Sequence, residues 1–135
     1  MSQTLTTPDV DLIVARYIAV WNEPDAGERA RAVAGLWRED GVEFVEGARF
    51  SGLDGLVDRV AEAHTAFVAS GLYTVTHDGE VSVHDRLVVL TIQLAHARGE
   101  HAGDVAWAAR VFLVLDADGR ISEDYHLTVQ PLPAA

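Results

Sequence analysis

Cysteine is absent from this chain, which excludes disulfides, thiolate zinc sites and a cysteine nucleophile. Basic residues are scarce: 10 against 21 acidic ones, a formal net charge of -11, with no lysine run. Such a surface cannot neutralise phosphates and is repelled by anionic lipid, so neither nucleic acid nor membrane is an expected partner. No apolar run approaches the roughly 18 to 20 residues that span a bilayer, and Leu87 to Ile92 is only strand length. Met1-Ser2-Gln3-Thr4 lacks the charged and apolar regions of a signal peptide, which makes the cytoplasm the expected location. Missing too are the Gly-x-Gly-x-x-Gly and phosphate-loop patterns of nucleotide sites and the Gly-x-Ser-x-Gly elbow of serine hydrolases. What is present is a 135-residue chain with 49% hydrophobic residues and four prolines, enough for one buried core and too apolar for disorder.

Three helices are predicted first. Thr7-Pro8 reads as a cap and first helical residue, followed by Val10, Ile13, Val14, Tyr17, Ile18 and Trp21 at helical spacing. Asn22-Glu23-Pro24 ends that segment, and Asp25 with Glu28 forms a capping box for a second helix ending near Gly41, with Ala30, Val33, Ala34 and Trp37 inward. A third helix is predicted from about Asp54 to Gly71, its stripe carrying Leu56, Val60, His64, Phe67 and Val68. Between the second and third helices, Val42 to Phe50 reads as two short strands.

From Tyr73 onward β-branched and aromatic runs are interrupted by His77-Asp78-Gly79, His84-Asp85, Arg98-Gly99-Glu100 and Asp116-Ala117-Asp118-Gly119, signals of turns or bulges in an antiparallel meander. Leu87 to Ile92 and Val111 to Leu115 are apolar on both parities, so both sheet faces require cover. Helices supply it on one face, and a homodimer through the sheet is expected on the other. A single domain over 7–131 is expected, with flexible termini at 1–6 and 132–135.

Six histidines, at 64, 77, 84, 96, 101 and 126, form no His-x-His or His-x-x-x-His pair on one predicted element, so no metal site is expected. Acid-base chemistry needs ionisable groups in a dry cavity, where burial moves their pKa values towards the working pH. The candidates beside apolar positions are Tyr17, Glu43, Glu46, His64, Arg110, Asp124 and His126, with Arg110 expected to pair with an acid. The last strand reads two ways. By alternation alone Ile121, Tyr125, Leu127 and Val129 face inward, leaving Asp124, His126 and Thr128 in solvent.

The order of elements, with Ala15-Arg16-Tyr17-Ile18, Leu36-Trp37-Arg38-Glu39-Asp40-Gly41-Val42-Glu43-Phe44, Phe50-Ser51-Gly52-Leu53-Asp54-Gly55-Leu56 and Asp116-Ala117-Asp118-Gly119-Arg120-Ile121, resembles the nuclear-transport-factor-2-like superfamily and its SnoaL-like polyketide cyclases. The resemblance spans nearly the whole chain. It implies an α+β fold, a cone in which three N-terminal helices pack on a strongly curved, mostly antiparallel sheet and enclose a pocket. It also implies the other facing of the last strand, with Asp124, His126 and Thr128 inward and the Tyr125 and Leu127 parity covered by a dimer partner.

Carried over residue by residue, Tyr17 matches the helix-one tyrosine that donates to a substrate oxyanion in ketosteroid isomerases. Their general-base and oxyanion-hole aspartates fall on Val45 and Val111, so a steroid isomerase mechanism does not transfer. The resemblance implies cofactor-free acid-base chemistry of secondary metabolism, cyclisation or isomerisation of a polyketide-like or terpenoid carbonyl substrate. Asp124 and His126 would form the proton-transfer pair and Tyr17 would bind the oxyanion. Glu43 or Glu46 would be the reserve base, and Trp37, His64, Phe67 and Trp107 the pocket wall. Two alternatives stay open: a non-catalytic small-molecule carrier, and hydratase, dehydratase or epoxide-opening chemistry.

Overall fold

The computed structural model describes residues 7–133, apart from the side chains of Thr7 and Pro8. The proposed cap at those two positions and the termini 1–6 and 134–135 therefore lie outside the described residues. Three helices, α1 (Thr7–Asn22), α2 (Ala26–Leu36) and α3 (Gly52–Ala63), pack on one face of a curved six-stranded sheet that does not close. The strands are β1 (Trp37–Val45), β2 (Ala48–Ser51), β3 (Tyr73–His84), β4 (Leu87–His96), β5 (Val105–Leu115) and β6 (Ile121–Gln130). Their spatial order is β2-β1-β6-β5-β4-β3, antiparallel throughout except where β1 runs parallel to β6. No described helix is long and apolar enough to cross a membrane.

Helix α1 buries Val10, Val14, Tyr17, Val20 and Trp21, the three-and-four spacing of one helical stripe. At its end, the Asn22 amide donates to the Val75 carbonyl and accepts from the Val75 N–H, both at 2.8 Å, which pins the helix to β3. Helix α2 starts on the predicted cap, with Asp25 accepting from the Glu28 N–H at 2.8 Å. It stops at Leu36, earlier than the sequence suggests, because Trp37 already has extended backbone and pairs with Ile121. Gly41 is thus no helix terminator. A Cβ there would lie 3.0 Å from the Arg38 carbonyl oxygen and 3.1 Å from that of Ile121, so glycine is what lets β1 cross close to β6 at a register shift.

The third helical stripe is likewise divided: α3 gives way at His64 to a π-helical turn, His64–Val68, which adds a residue and rotates the side chains beyond it. In β3, His77-Asp78-Gly79 is a bulge within one strand, with the register shifting between His77 and Val81. Asp85, at φ 55°, makes the β3–β4 turn, and the Asp116 carboxylate accepts from the N–H groups of Asp118 and Arg120 in the β5–β6 turn.

The register of β6 at Asp124 and His126 is set by the first of its two irregularities against β5. Leu115 pairs with Ile121 but Val114 pairs with Glu123, leaving Ser122 as the extra residue, its hydroxyl donating to the Val114 carbonyl at 2.9 Å. Ile121 and Asp124 consequently share the inner face although their numbers differ in parity. Leu113 lies opposite Asp124 and Val111 opposite His126, and all four are buried. The alternation-only reading of this strand fails at Ser122. Leu127 and Val129 point away from the core, 53% and 57% exposed.

Candidate active site

Four elements deliver five polar side chains to one place between helices and sheet: Tyr17 from α1, Glu43 from β1, Arg59 from α3, and Asp124 and His126 from β6. The parallel pairing of β1 with β6 sets Glu43 beside Asp124, and the Ser122 bulge turns Asp124 and His126 inward. Tyr17 donates to Asp124 Oδ2 at 2.8 Å and its oxygen lies 2.6 Å from His126 Nε2. Because the tyrosine has one proton and gives it to Asp124, its oxygen is an acceptor towards His126, which assigns the hydrogen to Nε2. Nε2 is also 3.1 Å from Asp124 Oδ1 and 3.7 Å from Glu43 Oε2. His126 Nδ1 is buried and has no protein partner. Glu43 Oε1 accepts from Arg59 Nε at 2.7 Å.

Burial dominates the electrostatics. Glu43 is pushed up from 4.5 to about 7, first by desolvation, with Asp124 adding to the rise while His126 and Arg59 oppose it. For His126, burial acts to lower the pKa, but the Asp124 and Glu43 carboxylates outweigh it and the net shift is upward. Burial, followed by the charges of Asp124 and Glu43, holds the Tyr17 hydroxyl well above its ordinary value. It stays protonated in any neutral solution. Glu43 Oε2 and Asp124 Oδ1 are buried without a hydrogen bond, facing the imidazole only at ion-pair range. Fold stability alone gives no reason to assemble such a cluster, since buried polar groups left unsatisfied cost about 1–3 kcal/mol each.

His126 forms part of the wall of an apolar cavity of about 330 Å³ between α3, the π turn and the sheet. Arg59, Trp21, Phe67 and Trp107 also line it, with Glu46, Gln93 and Thr128 as further polar groups. Leu132, placed by sequence in a flexible tail, lies at this cavity too. Glu46 is exposed, and its carboxylate accepts from the Thr128 N–H, so Glu43 is the carboxylate held beside the imidazole.

Several expected positions are corrected. Tyr17 is fully buried and does not line the cavity, and its proton is committed to Asp124, so it cannot reach a substrate oxyanion in this arrangement. Trp37 is core, its ring 5.7 Å from that of Tyr17, because β1 begins there. His64 is buried outside the cavity lining, within reach of the charges of Arg29 and Glu23, and burial and then Arg29 lower its pKa. The π turn brings Phe67 to the cavity without it. Arg110 is exposed and forms no ion pair with an acid among the described residues.

Arg59 is the residue that the sequence reading omits. Its one signal in the sequence is position: 56, 59, 60 and 63 fall on one face of α3 and only 59 is charged.

Glu43, Asp124 and His126 also form the one group of three or more acidic and histidine side chains, among the described residues, whose ligating atoms lie within 4.8 Å of one another. The Tyr17 hydroxyl already abuts Nε2, and the Arg59 cation abuts Glu43, which favours proton transfer over cation binding in this arrangement.

No protein-family model matches the chain, and no curated protein matches it by sequence. In three dimensions it is similar to a protein described as an isomerase of the SnoaL-like family from Agrobacterium tumefaciens, with a TM-score of 0.78 and 20% identity over 90% of this chain and 98% of that one. It is similar to a protein described as a SnoaL-like polyketide cyclase from Jannaschia, with a TM-score of 0.71 and 15% identity over 94% and 91%. A de novo designed NTF2-fold protein matches with a TM-score of 0.64 and 17% identity over 91% and 86%. The fold is therefore nuclear-transport-factor-2-like. A designed chain reaches the same fold, so function has to be argued from the site.

Proposed function

We propose that this chain is a cofactor-independent acid-base enzyme, a cyclase or isomerase that enolises an apolar carbonyl compound, polyketide-like or terpenoid, in the cavity beside His126. One observation carries the reading: an imidazole in the wall of an apolar cavity, its Nε2–H directed to Tyr17 and two carboxylates while Nδ1 has no protein partner. In the neutral ring Nδ1 is a lone pair, and an adjacent carboxylate strengthens it as a base.

The C–H bond next to the substrate carbonyl breaks, its electron pair forms the enolate, and the proton passes to Nδ1. Asp124 and Glu43 stabilise the imidazolium so formed. Isomerisation returns that proton to a different carbon. Cyclisation instead joins the enolate carbon to a second carbonyl carbon of the same molecule and delivers the proton to the new alkoxide. Tyr17 is a positioning residue, fixing the imidazole and the Asp124 carboxylate relative to each other. The likeness to proteins described as isomerase and cyclase supports this class of reaction.

Enolisation can be read without the natural substrate. A panel of apolar ketones including 2-tetralone, incubated with the protein in D₂O, should exchange α-protons faster than in buffer. His126→Gln should lower that rate by about 10²- to 10⁴-fold, the range of a positioned general base. A wild-type protein that binds 2-tetralone yet never accelerates exchange across the panel would instead be a carrier.

A further inference from the structure

We propose that Arg59 recognises a planar oxyanion, a carboxylate or the enolate of a 1,3-dicarbonyl, at one end of an otherwise apolar ligand. This deepens the reading of the cavity as the reaction site and rests on it for the choice of cavity. Four observations point to it. Arg59 stands at a cavity whose wall is mostly hydrophobic, with its side chain 18% exposed. Its Nε–H is spent on Glu43, and among the described residues no acceptor is placed against its four Nη hydrogens. The guanidinium is also fixed, with its carbon 5.3 Å from the centroid of the Trp21 ring and 5.6 Å from that of Phe50. Finally, among the described residues Glu43 is the one carboxylate that forms an ion pair with this cation, while Glu46, in the wall of the same cavity, accepts from the Thr128 N–H.

A guanidinium held by Nε and stacked on aromatic rings keeps the free edge of its fork in one plane. Two parallel Nη–H donors match the two oxygens of a carboxylate, or of a cis-enolised 1,3-dicarbonyl, and match a lone alcohol or amide poorly. Such an ion pair is formed away from bulk water, which strengthens it relative to the same contact at the surface. An oxyanion bound here also bears on the proposed chemistry, because a developing enolate oxygen would meet donors that need no rearrangement.

The test is binding, measured by calorimetry with matched probes. Wild-type protein should bind 2-naphthoate more tightly than 2-naphthamide by about 10- to 100-fold, the range of a charge-assisted hydrogen bond. It should likewise prefer the enolate of 1-phenylbutane-1,3-dione, an open-chain dione that can turn both oxygens to one side, to neutral 1-phenylbutan-1-one, and the tighter of the two anions identifies the oxyanion that the site is built for.

Arg59→Gln should abolish both preferences while 2-naphthamide still binds. Because that change leaves Glu43 without its partner, the double variant Glu43→Gln/Arg59→Gln, which pairs amide with amide, repeats the measurement in a cluster with no unmatched charge. Equal wild-type affinity for acid and amide overturns the proposal. So does a preference that survives in both Arg59 variants. His126→Gln should keep the preference, and its loss there would assign the anion to the imidazole. Arg59-dependent preference without any proton exchange would leave this inference standing and remove the enzymatic one, so the two can fail separately.

Discussion

The two faces of the β5–β6 pair invert the usual relation between polarity and burial. On the inner face Leu113 meets Asp124 and Val111 meets His126, so two ionisable groups are placed against aliphatic partners with almost no exposure. On the outer face Phe112 meets Tyr125 and Arg110 meets Leu127, Tyr125 stacks on Phe44 at 4.9 Å, and Leu127 and Val129 stand in the open. A sheet selected for stability alone would exchange these sets. The inner face carries its charges at a cost in folding free energy, and the cavity beside it is where that cost has a use. The outer face shows the complementary point, that apolar residues in a strand do not by themselves identify the core.

The difference predicts opposite responses to pH and substitution. The largest expected effect is on Glu43. Its folded pKa of about 7 exceeds the ordinary 4.5, so between those values the folded chain binds the proton that the unfolded chain has released. Stability therefore falls as pH rises through that window, by about 3 kcal/mol at 1.36 kcal/mol per pH unit. His126 acts in the same direction: its contribution is complete below 6.5 and is lost as pH rises through its raised value. Urea unfolding at intervals from pH 5 to 8 should show this decline, and Glu43→Gln should remove most of it. Identical slopes for both proteins would mean that Glu43 is not desolvated and that the contrast between the faces is overstated.

Next in size is Tyr17→Phe. Removing the hydroxyl takes from Asp124 Oδ2 its 2.8 Å donor and from Nε2–H its acceptor, and should destabilise the fold by about 1–3 kcal/mol. A tyrosine whose hydroxyl instead awaited substrate would tolerate the change, or gain stability from it, in the absence of ligand. Thermal unfolding of the unliganded variant therefore tests whether Tyr17 positions the cluster from behind.

How much of this was legible in the sequence depended on whether a pattern stayed in phase. The stripe Val10, Val14, Tyr17, Trp21 is an unbroken helical period and the Asp25–Glu28 cap is local, so α1 and the start of α2 could be read directly. Phase was lost at three points where the backbone adds or redirects a residue. The Ser122 bulge turned Asp124 and His126 inward, and the π turn at His64 redirected the rest of the third helical stripe. The Gly41 crossing converted an apparent helix end into strand. For Asp124 and His126 the resemblance to a known family supplied the register that alternation could not. Arg59 failed for a different reason. A lone arginine on a helix stripe looks like surface, and its meaning depends on Glu43, sixteen residues earlier and on another element.

The smallest effect belongs to the outer face. Leu127 is 53% exposed in the single chain, so Leu127→Ser removes little buried area and should change its unfolding free energy by no more than about 0.5 kcal/mol. A second copy seated on the sheet would alter that result in a measurable way. The half-buried Phe112 and Val114 and the exposed Leu127 would then lose water together, and the serine would cost several times more. That excess would grow with protein concentration, because the stability of a dimer includes its association. Unfolding of wild type and Leu127→Ser at two concentrations a hundredfold apart separates the cases. A small difference independent of concentration leaves the outer face as an exposed apolar surface, while a large concentration-dependent one makes it an interface and restores to both faces the ordinary link between apolarity and burial.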